Sequence, residues 1–229
     1  MLQEFTVRPI ATIETDFKEK FGIPRQSGRV KGAVGRIVFL PEYRNPDAVR
    51  EIGSFSHLWL LFDFSLAHRE GFTPTVRPPR LGGNRRVGVF ASRSPFRPNP
   101  IGLSSVKLER VEMTEEEGPV LYVSGVDLLS GTPILDIKPY LPYADSHPEA
   151  TAGYAAAGES HRLQVSFREG AAPPIGEERL AVLRDCLAED PRPSYQDSPD
   201  RIYHMRFAEW DVSFTVDGEE LTVIGYKRG

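Results

Sequence analysis

Between Arg77 and Lys107 the sequence carries six arginines and one lysine, and neither aspartate nor glutamate, in a chain whose formal net charge is −4. A basic island of this density in an acidic chain is a candidate site. Pro78, Pro79, Gly82, Gly83, Pro95, Pro98 and Pro100 punctuate it on both sides of a short apolar run, Val87 to Phe90. Planar guanidinium forks held on turn-rich backbone suit phosphate, carboxylate or nucleic acid.

Four further segments carry chemistry. In the stretch KFGIPRQSG, Pro24 presets the backbone, Arg25 offers a fork, Gln26 both donates and accepts, and Gly28 permits a tight turn. A solvated loop with an incidental arginine is equally consistent. His57 and Leu58 open the apolar run FSHLWLLFDF, where a histidine is either a satisfied core residue or a ligand contact. Asp127, Leu128, Leu129 and Ser130 precede a Gly-Thr-Pro turn, a place for main-chain donors and acceptors beside an apolar wall. Asp136 and Lys138 then share one face of a strand. For the acids the plain alternative is a turn, or pairing of Arg93 and Arg97 with Asp127, Asp136 or Asp145. Near the C-terminus, Asp190-Pro-Arg192-Pro-Ser-Tyr195 holds an arginine and an aromatic in extended backbone, either to meet a nucleotide or as a rigid connector.

Other chemistries find no support. The histidines, 57, 68, 147, 161 and 204, have no metal-ligand spacing, and no phosphate-binding loop or G-x-S-x-G elbow occurs. The single cysteine, Cys186, excludes a disulfide framework; it sits at helical spacing in LAVLRDCL, as a buried small hydrophobe would. There is no apolar run of membrane-span length and no charged-then-apolar leader, so a cytoplasmic protein is expected.

At 229 residues the chain can hold one large domain, or one of medium size plus a small one. Short apolar runs predict strands at Phe5–Thr12, Ala33–Leu40, Phe55–Phe64, Val87–Ala91, Ser104–Val111, Val120–Val126 and Ile134–Lys138, with one helix, Pro46–Ile52, capped by Asn45. This pattern makes the chain mainly β, with an antiparallel β-barrel or sandwich over residues 1–150, and it argues against a Rossmann domain. Residues 145–160 read as a linker. Beyond it, residues 160–229 read as a small α+β module: a strand at LQVSF, a helix over Gly176–Ala188, and two strands around Asp217-Gly218.

The order KEKFGIPRQSG, FSHLWLLF, VRPPRLGGNRRVGVFASRSPFRPNPIGLS, VSGVDLLSGTPILDIKPYLPYADS resembles the TsaA-like family, densely over residues 1 to about 150, and Asp-Pro-Arg-Pro-x-Tyr extends the resemblance to its bacterial members with a C-terminal module. The resemblance implies a β-barrel that binds S-adenosyl-L-methionine, a homodimer with the cofactor near the subunit contact, and methylation of N6 of threonylcarbamoyladenosine at position 37 of tRNA. Carried over by motif, the cofactor residues are Pro24, Arg25, Gln26, His57, Leu58, Arg93, Leu103, Asp127, Leu128, Leu129 and Ser130; relatives often have Asp at the last position. No metal is implied. Arg77, Arg80, Arg85, Arg86 and Arg97 are then expected on anticodon-loop phosphates, with Lys138, Asp190, Arg192 and Tyr195 helping to seat the substrate, and Asp136 as general base. The alternatives left by the residues are a cofactor-binding barrel acting on a small molecule and an RNA-binding barrel without catalysis.

Overall fold

The computed structural model describes residues 4–78, 85–158, 162–193 and 198–229. In chain order the strands are β1 (Ala11–Thr15), β2 (Val34–Phe39), β3 (His57–Asp63), β4 (Thr75–Val76), β5 (Val87–Gly88), β6 (Ile101–Thr114), β7 (Gly118–Ser124), β8 (Thr132–Pro139), β9 (Gln164–Phe167), β10 (Tyr203–Phe207), β11 (Trp210–Asp217) and β12 (Glu220–Arg228). Among the described residues two α-helices occur, α1 (Pro142–Asp145) and α2 (Glu177–Ala188).

Six strands close into an antiparallel barrel in the order β1-β2-β7-β6-β3-β8. Alternation explains the closure. Leu58, Leu60 and Phe62 of β3 and Val106 and Leu108 of β6 are buried, as are Ile13, Ile37, Leu121, Val123 and Ile134 from the strands around them. Closure leaves no exposed strand edge in this unit. The second unit is a four-stranded sheet, β10-β11-β12-β9, with β9 parallel to β12. Leu183, Cys186 and Leu187 of α2 are buried, and the Cys186 thiol is driven upward in pKa by that burial. Its buried place bears out the packing role read from its helical spacing.

Several boundaries differ from the sequence reading. The first strand begins at Ala11, because Pro9 has no N–H for the ladder; Ile10 N–H makes the first bond, to the Ile134 carbonyl. The helix expected over Pro46–Ile52 is two short 3-10 turns, Pro46–Val49 and Ile52–Ser54. Asn45 does cap the first, accepting from Asp47 N–H at 3.0 Å, but Glu51 adopts φ 65° and breaks the path. Val87–Ala91 supplies only two strand residues before a 3-10 turn. Residues 142–158, read partly as linker, contain α1 and a 3-10 turn at Gly153–Gly158. The tail holds three strands rather than two. Its extra hairpin turns at Ala208-Glu209, with Ala208 at φ 52° where turn chemistry favours glycine or asparagine, so the sequence carries no signal there.

The two sheets share one hydrophobic cluster. The segment between β1 and β2 joins them. Phe17 packs edge-on against Phe207 at 6.0 Å, Phe21 stacks with Phe214 at 6.4 Å, and Gly22 lies against Met205. In the barrel wall, where Phe62 of β3 is paired with Gly102 of β6, a Cβ on Gly102 would fall 2.2–2.8 Å from three carbons of the Phe62 ring. Replacing Gly102 with alanine therefore overpacks the barrel; the expected cost is about 1–3 kcal/mol, read as a lower Tm in thermal unfolding, and an unchanged Tm would refute the close approach.

Candidate functional site

A cavity of about 910 Å³ opens at one end of the barrel. Three segments build most of it: the β1–β2 loop, the end of β3 with the turn after it, and the proline-rich run before β6. The β1–β2 loop supplies Lys20, Ile23, Pro24, Arg25 and Gln26; Phe62, Phe64, Ser65 and Leu66 come from the second; Arg93, Phe96, Arg97 and Asn99 come from the third. Leu103 and Ser104 of β6 and Asp127, Leu128 and Leu129 complete the wall. The volume lies within the range of small-molecule sites, with room for a cofactor and part of a second substrate.

Hydrogen bonds hold these segments in register. Gly28 N–H donates to the Gly125 carbonyl at 2.8 Å, which fixes the β1–β2 loop beside the Asp127 turn. Lys20 Nζ donates to the Leu66 carbonyl at 3.2 Å. Arg93 donates to Gln26 Oε1, so the two polar candidates from distant segments touch. Arg25 donates to the carbonyls of Asp190 at 3.1 Å and Arg192 at 3.0 Å. Arg97 donates to the Ser92 carbonyl at 3.1 Å, bracing the turn between them.

Asp127 is the notable titratable group. Burial pushes its carboxyl up to about 6; the Ser104 hydroxyl, which donates to Oδ1 at 2.6 Å, and the charge of Arg93 oppose the rise. The carboxylate is thus placed to charge or hold a proton inside the cavity. Among the described residues no cluster of three metal-ligating side chains occurs.

The structure brings Pro24, Arg25, Gln26, Arg93, Leu103, Asp127, Leu128 and Leu129 together on one cavity, and Arg97 with them. Other expected residues are elsewhere. His57 is exposed at the opposite end of β3, about 16 Å of strand from Phe62, hydrogen-bonded to Ser56 and beside Tyr140. Leu58 is fully buried in the barrel core. Neither lines the cavity. Ser130 also lies outside its wall: its Oγ accepts from Thr15 N–H and Lys18 Nζ, tying the turn to the end of β1. The Leu128 and Leu129 carbonyls already accept from the Thr15 and Thr132 hydroxyls at 3.0 and 2.6 Å. Asp136 pairs with Lys138 at 2.8 Å on β8, outside the cavity, so that aspartate is not within reach of a reacting group there. Lys138 sits opposite Trp59, toward the His57 end.

The salt-bridge network that Arg93 and Arg97 could have formed with acidic residues is replaced by the contacts above, and Asp145 accepts from Leu141 N–H instead. Arg77, Arg85 and Arg86 are exposed along the β4–β5 hairpin, Arg86 donating to the Thr75 hydroxyl. Arg192 is 8% exposed and held by Asp190 through Nε at 2.9 Å and Nη2 at 3.0 Å; it is an internal strut rather than a surface fork. Arg80 and Tyr195 lie outside the described residues.

Reading the sequence alone missed Lys20 and the run Phe62 to Ala67. The available signal was positional: loops leaving strand ends carry binding residues, and the run follows the end of β3 where His57 begins it.

The Asp127 carboxyl yields a signed prediction. Because its folded pKa is raised, the native state binds a proton that the unfolded chain has lost, and this group's contribution to stability falls as pH climbs from the ordinary carboxylate range through about 6. The Tm advantage of Asp127→Asn over wild type should therefore grow between about pH 4 and about pH 7. A difference that stays flat with pH would show that the carboxyl is not buried.

Comparison with known proteins places this geometry in a family. Residues 12–146 match the tRNA-methyltransferase O N-terminal domain and residues 160–228 the TrmO C-terminal domain. The chain is 43% identical over 221 residues to a protein of Escherichia coli named tRNA (adenine(37)-N6)-methyltransferase, covering 94% of this chain and 93% of that one. It is 49% identical over 165 residues to a protein of the same name from Eikenella corrodens, covering 72% of this chain and 92% of that one. A crystal structure of TrmO from Pseudomonas aeruginosa superposes with a TM-score of 0.81 at 36% identity, covering 100% of this chain and 99% of that one. With both halves of the chain matched, and with the barrel and the second sheet in the arrangement of a solved relative, the protein belongs to the tRNA-methyltransferase O family.

Proposed function

We propose that the protein is an S-adenosyl-L-methionine-dependent methyltransferase acting on the adenine at position 37 of tRNA, and that its acceptor is N6 of threonylcarbamoyladenosine. The observation that carries this reading is the convergence of Arg25, Gln26, Arg93 and Asp127 on one apolar cavity of about 910 Å³, in a chain alike over its length to named tRNA (adenine(37)-N6)-methyltransferases.

The lining fits the cofactor's chemistry. Leu128, Leu103 and Phe62 offer apolar surface for an adenine ring. Arg25 and Arg93 offer guanidinium groups to an amino-acid carboxylate, and Asp127 offers a carboxylate to an ammonium or amino group. The cofactor supplies an electrophilic methyl group. What the chain must add is position and exclusion of water, since in-line displacement is governed by placement. The loop carrying Pro24 to Gln26, fixed on Gly125 and on the 190–192 strap, does the positioning. The acceptor nitrogen must lose a proton, and Asp127, rather than Asp136, is a carboxyl of the cavity wall whose pKa burial raises.

We assign residues 1–150 to cofactor binding and residues 160–229 to tRNA contact, with the exposed arginines of the β4–β5 hairpin on anticodon-loop phosphates. The active unit is a homodimer working in the cytoplasm, where its tRNA substrate is found. Dimerisation gains support from Leu103 and Ile101, 53% and 42% exposed at the cavity edge, where a second copy would cover them.

The direct test is nucleoside mass spectrometry of tRNA incubated with the protein, with and without S-adenosyl-L-methionine. A cofactor-dependent gain of one methyl on threonylcarbamoyladenosine is expected, and an unchanged nucleoside profile would overturn the reading. Arg25→Ala should weaken S-adenosyl-L-methionine binding in calorimetry by roughly tenfold or more, the loss of a charge-assisted hydrogen bond. Equal affinity would remove Arg25 from the cofactor site.

A further inference from the structure

Phe72 and Phe90 stack on one another with ring centroids 6.1 Å apart and planes inclined at 24°. Both are open to solvent, 54% and 73% exposed, although each belongs to a residue type that chains ordinarily hide. Phe90 also lines the cavity, so the pair stands at its mouth. Backbone bonds fix the pair's two strands at this spot: Val89 N–H donates to the Pro74 carbonyl at 2.9 Å, and Thr75 and Gly88 pair across the β4–β5 ladder. The Ala91 carbonyl accepts from the Tyr154 hydroxyl at 2.8 Å, which braces the turn from behind. The rings are therefore held in place, and what they present outward is a flat aromatic face.

The surroundings are basic. No aspartate or glutamate occurs between Glu70 and Glu109 in the sequence, while Arg77, Arg85, Arg86, Arg93 and Arg97 fall between the same limits. On the wall of the same cavity as Phe90, the Phe96 ring has the Arg69 guanidinium 3.6 Å over its centre, a second aromatic surface already joined to a cation. Aromatic faces interleaved with arginines form the signature of surfaces that bind single-stranded nucleic acid, in which bases stack and phosphates pair. A second copy of this chain centred on the same patch would bring one arginine-rich hairpin against another, which like charge opposes.

We infer that the Phe72–Phe90 pair is a stacking platform for a nucleobase neighbouring the one that enters the cavity. This deepens the tRNA reading above and rests on it. The platform would hold an unpaired loop base beside the entrance while its neighbour is turned inward, and so set which nucleotide reaches the reacting group. The phosphates on either side fall to the hairpin arginines.

The test compares full-length wild type with Phe72→Ala, Phe90→Ala and Phe90→Trp, using a fluorescent anticodon stem–loop oligonucleotide that carries threonylcarbamoyladenosine. Both phenylalanines are exposed, so the variants should fold with the Tm of wild type, and Phe72→Ala, which is outside the cavity wall, should keep wild-type S-adenosyl-L-methionine affinity. Each alanine variant should bind the RNA roughly tenfold more weakly or worse, with the slope of affinity against salt unchanged, and Phe90→Trp should restore binding. A paired control, Arg85→Ala with Arg86→Ala, should instead flatten the salt slope. Undiminished RNA binding by the alanine variants overturns the platform alone. So does a loss accompanied by dissociation to monomers in sedimentation, which would make the pair a subunit contact, or by weaker cofactor binding, which would make it part of the cofactor wall. Wild-type protein that binds no such RNA overturns the proposed substrate together with the platform.

Discussion

Arg29 grips Glu189 with two parallel hydrogen bonds, Nε to Oε2 at 2.8 Å and Nη2 to Oε1 at 3.0 Å, and the Glu189 side chain is only 5% exposed. A buried carboxylate is costly to leave unpaired, so this fork strongly couples the β1–β2 loop to the end of α2. Much else hangs on that coupling. Within the twelve residues before Arg29 the chain is already committed to packing: Phe17, Phe21 and Gly22 are lodged against the second sheet, and Pro24 to Gln26 face the cavity. One loop thus has an apolar back buried in the C-terminal unit and a polar front lining the site.

That arrangement explains why Arg25 is shared. Its guanidinium reaches the carbonyls of Asp190 and Arg192, and it also borders the cavity. The Asp190–Arg192 strap is kept in shape by its own ion pair at 2.9 Å, with Arg192 almost wholly buried. In the proposed reaction the residues that meet the cofactor and those that end the C-terminal helix belong to one hydrogen-bonded assembly. The two units are then joined by polar contacts rather than merely adjacent, and the pairing of Asp16 with Arg179 of α2 at 2.9 Å adds to the joint.

Electrostatics follow a similar division of labour. The chain is acidic overall, yet the exposed Arg77, Arg85 and Arg86 beside the β4–β5 ladder and the run after it are basic. Such a distribution confines a polyanion to one face, and that face borders the cavity mouth. The desolvated Asp127 stands behind the arginines, where Arg93 moderates its rise in pKa, so the site offers both signs of charge within one apolar enclosure.

Much of this was legible in the residues. Period-two alternation and Gly/Pro punctuation are local properties, and they disclose the barrel strands; the contiguous motifs disclose the family and, with it, Pro24 to Gln26, Arg93, Leu103 and Asp127 to Leu129. Local signals fail where long-range packing decides. Whether His57 or Phe64 meets the cavity depends on which end of β3 the barrel opens, and strand composition does not encode that choice. Asp136 and Asp127 look alike as acids beside a turn, but closure of the barrel leaves one paired with Lys138 outside the cavity and buries the other within it. Arg192 reads either as a nucleotide contact or as part of a rigid connector; the structure makes it a buried strut on Asp190, with the distant Arg25 holding its carbonyl. The sequence by itself determined the main barrel strands and which polar residue types are available; tertiary structure alone decided which of them face one another, because burial, desolvation and ion pairing are properties of neighbours that chain order does not bring together.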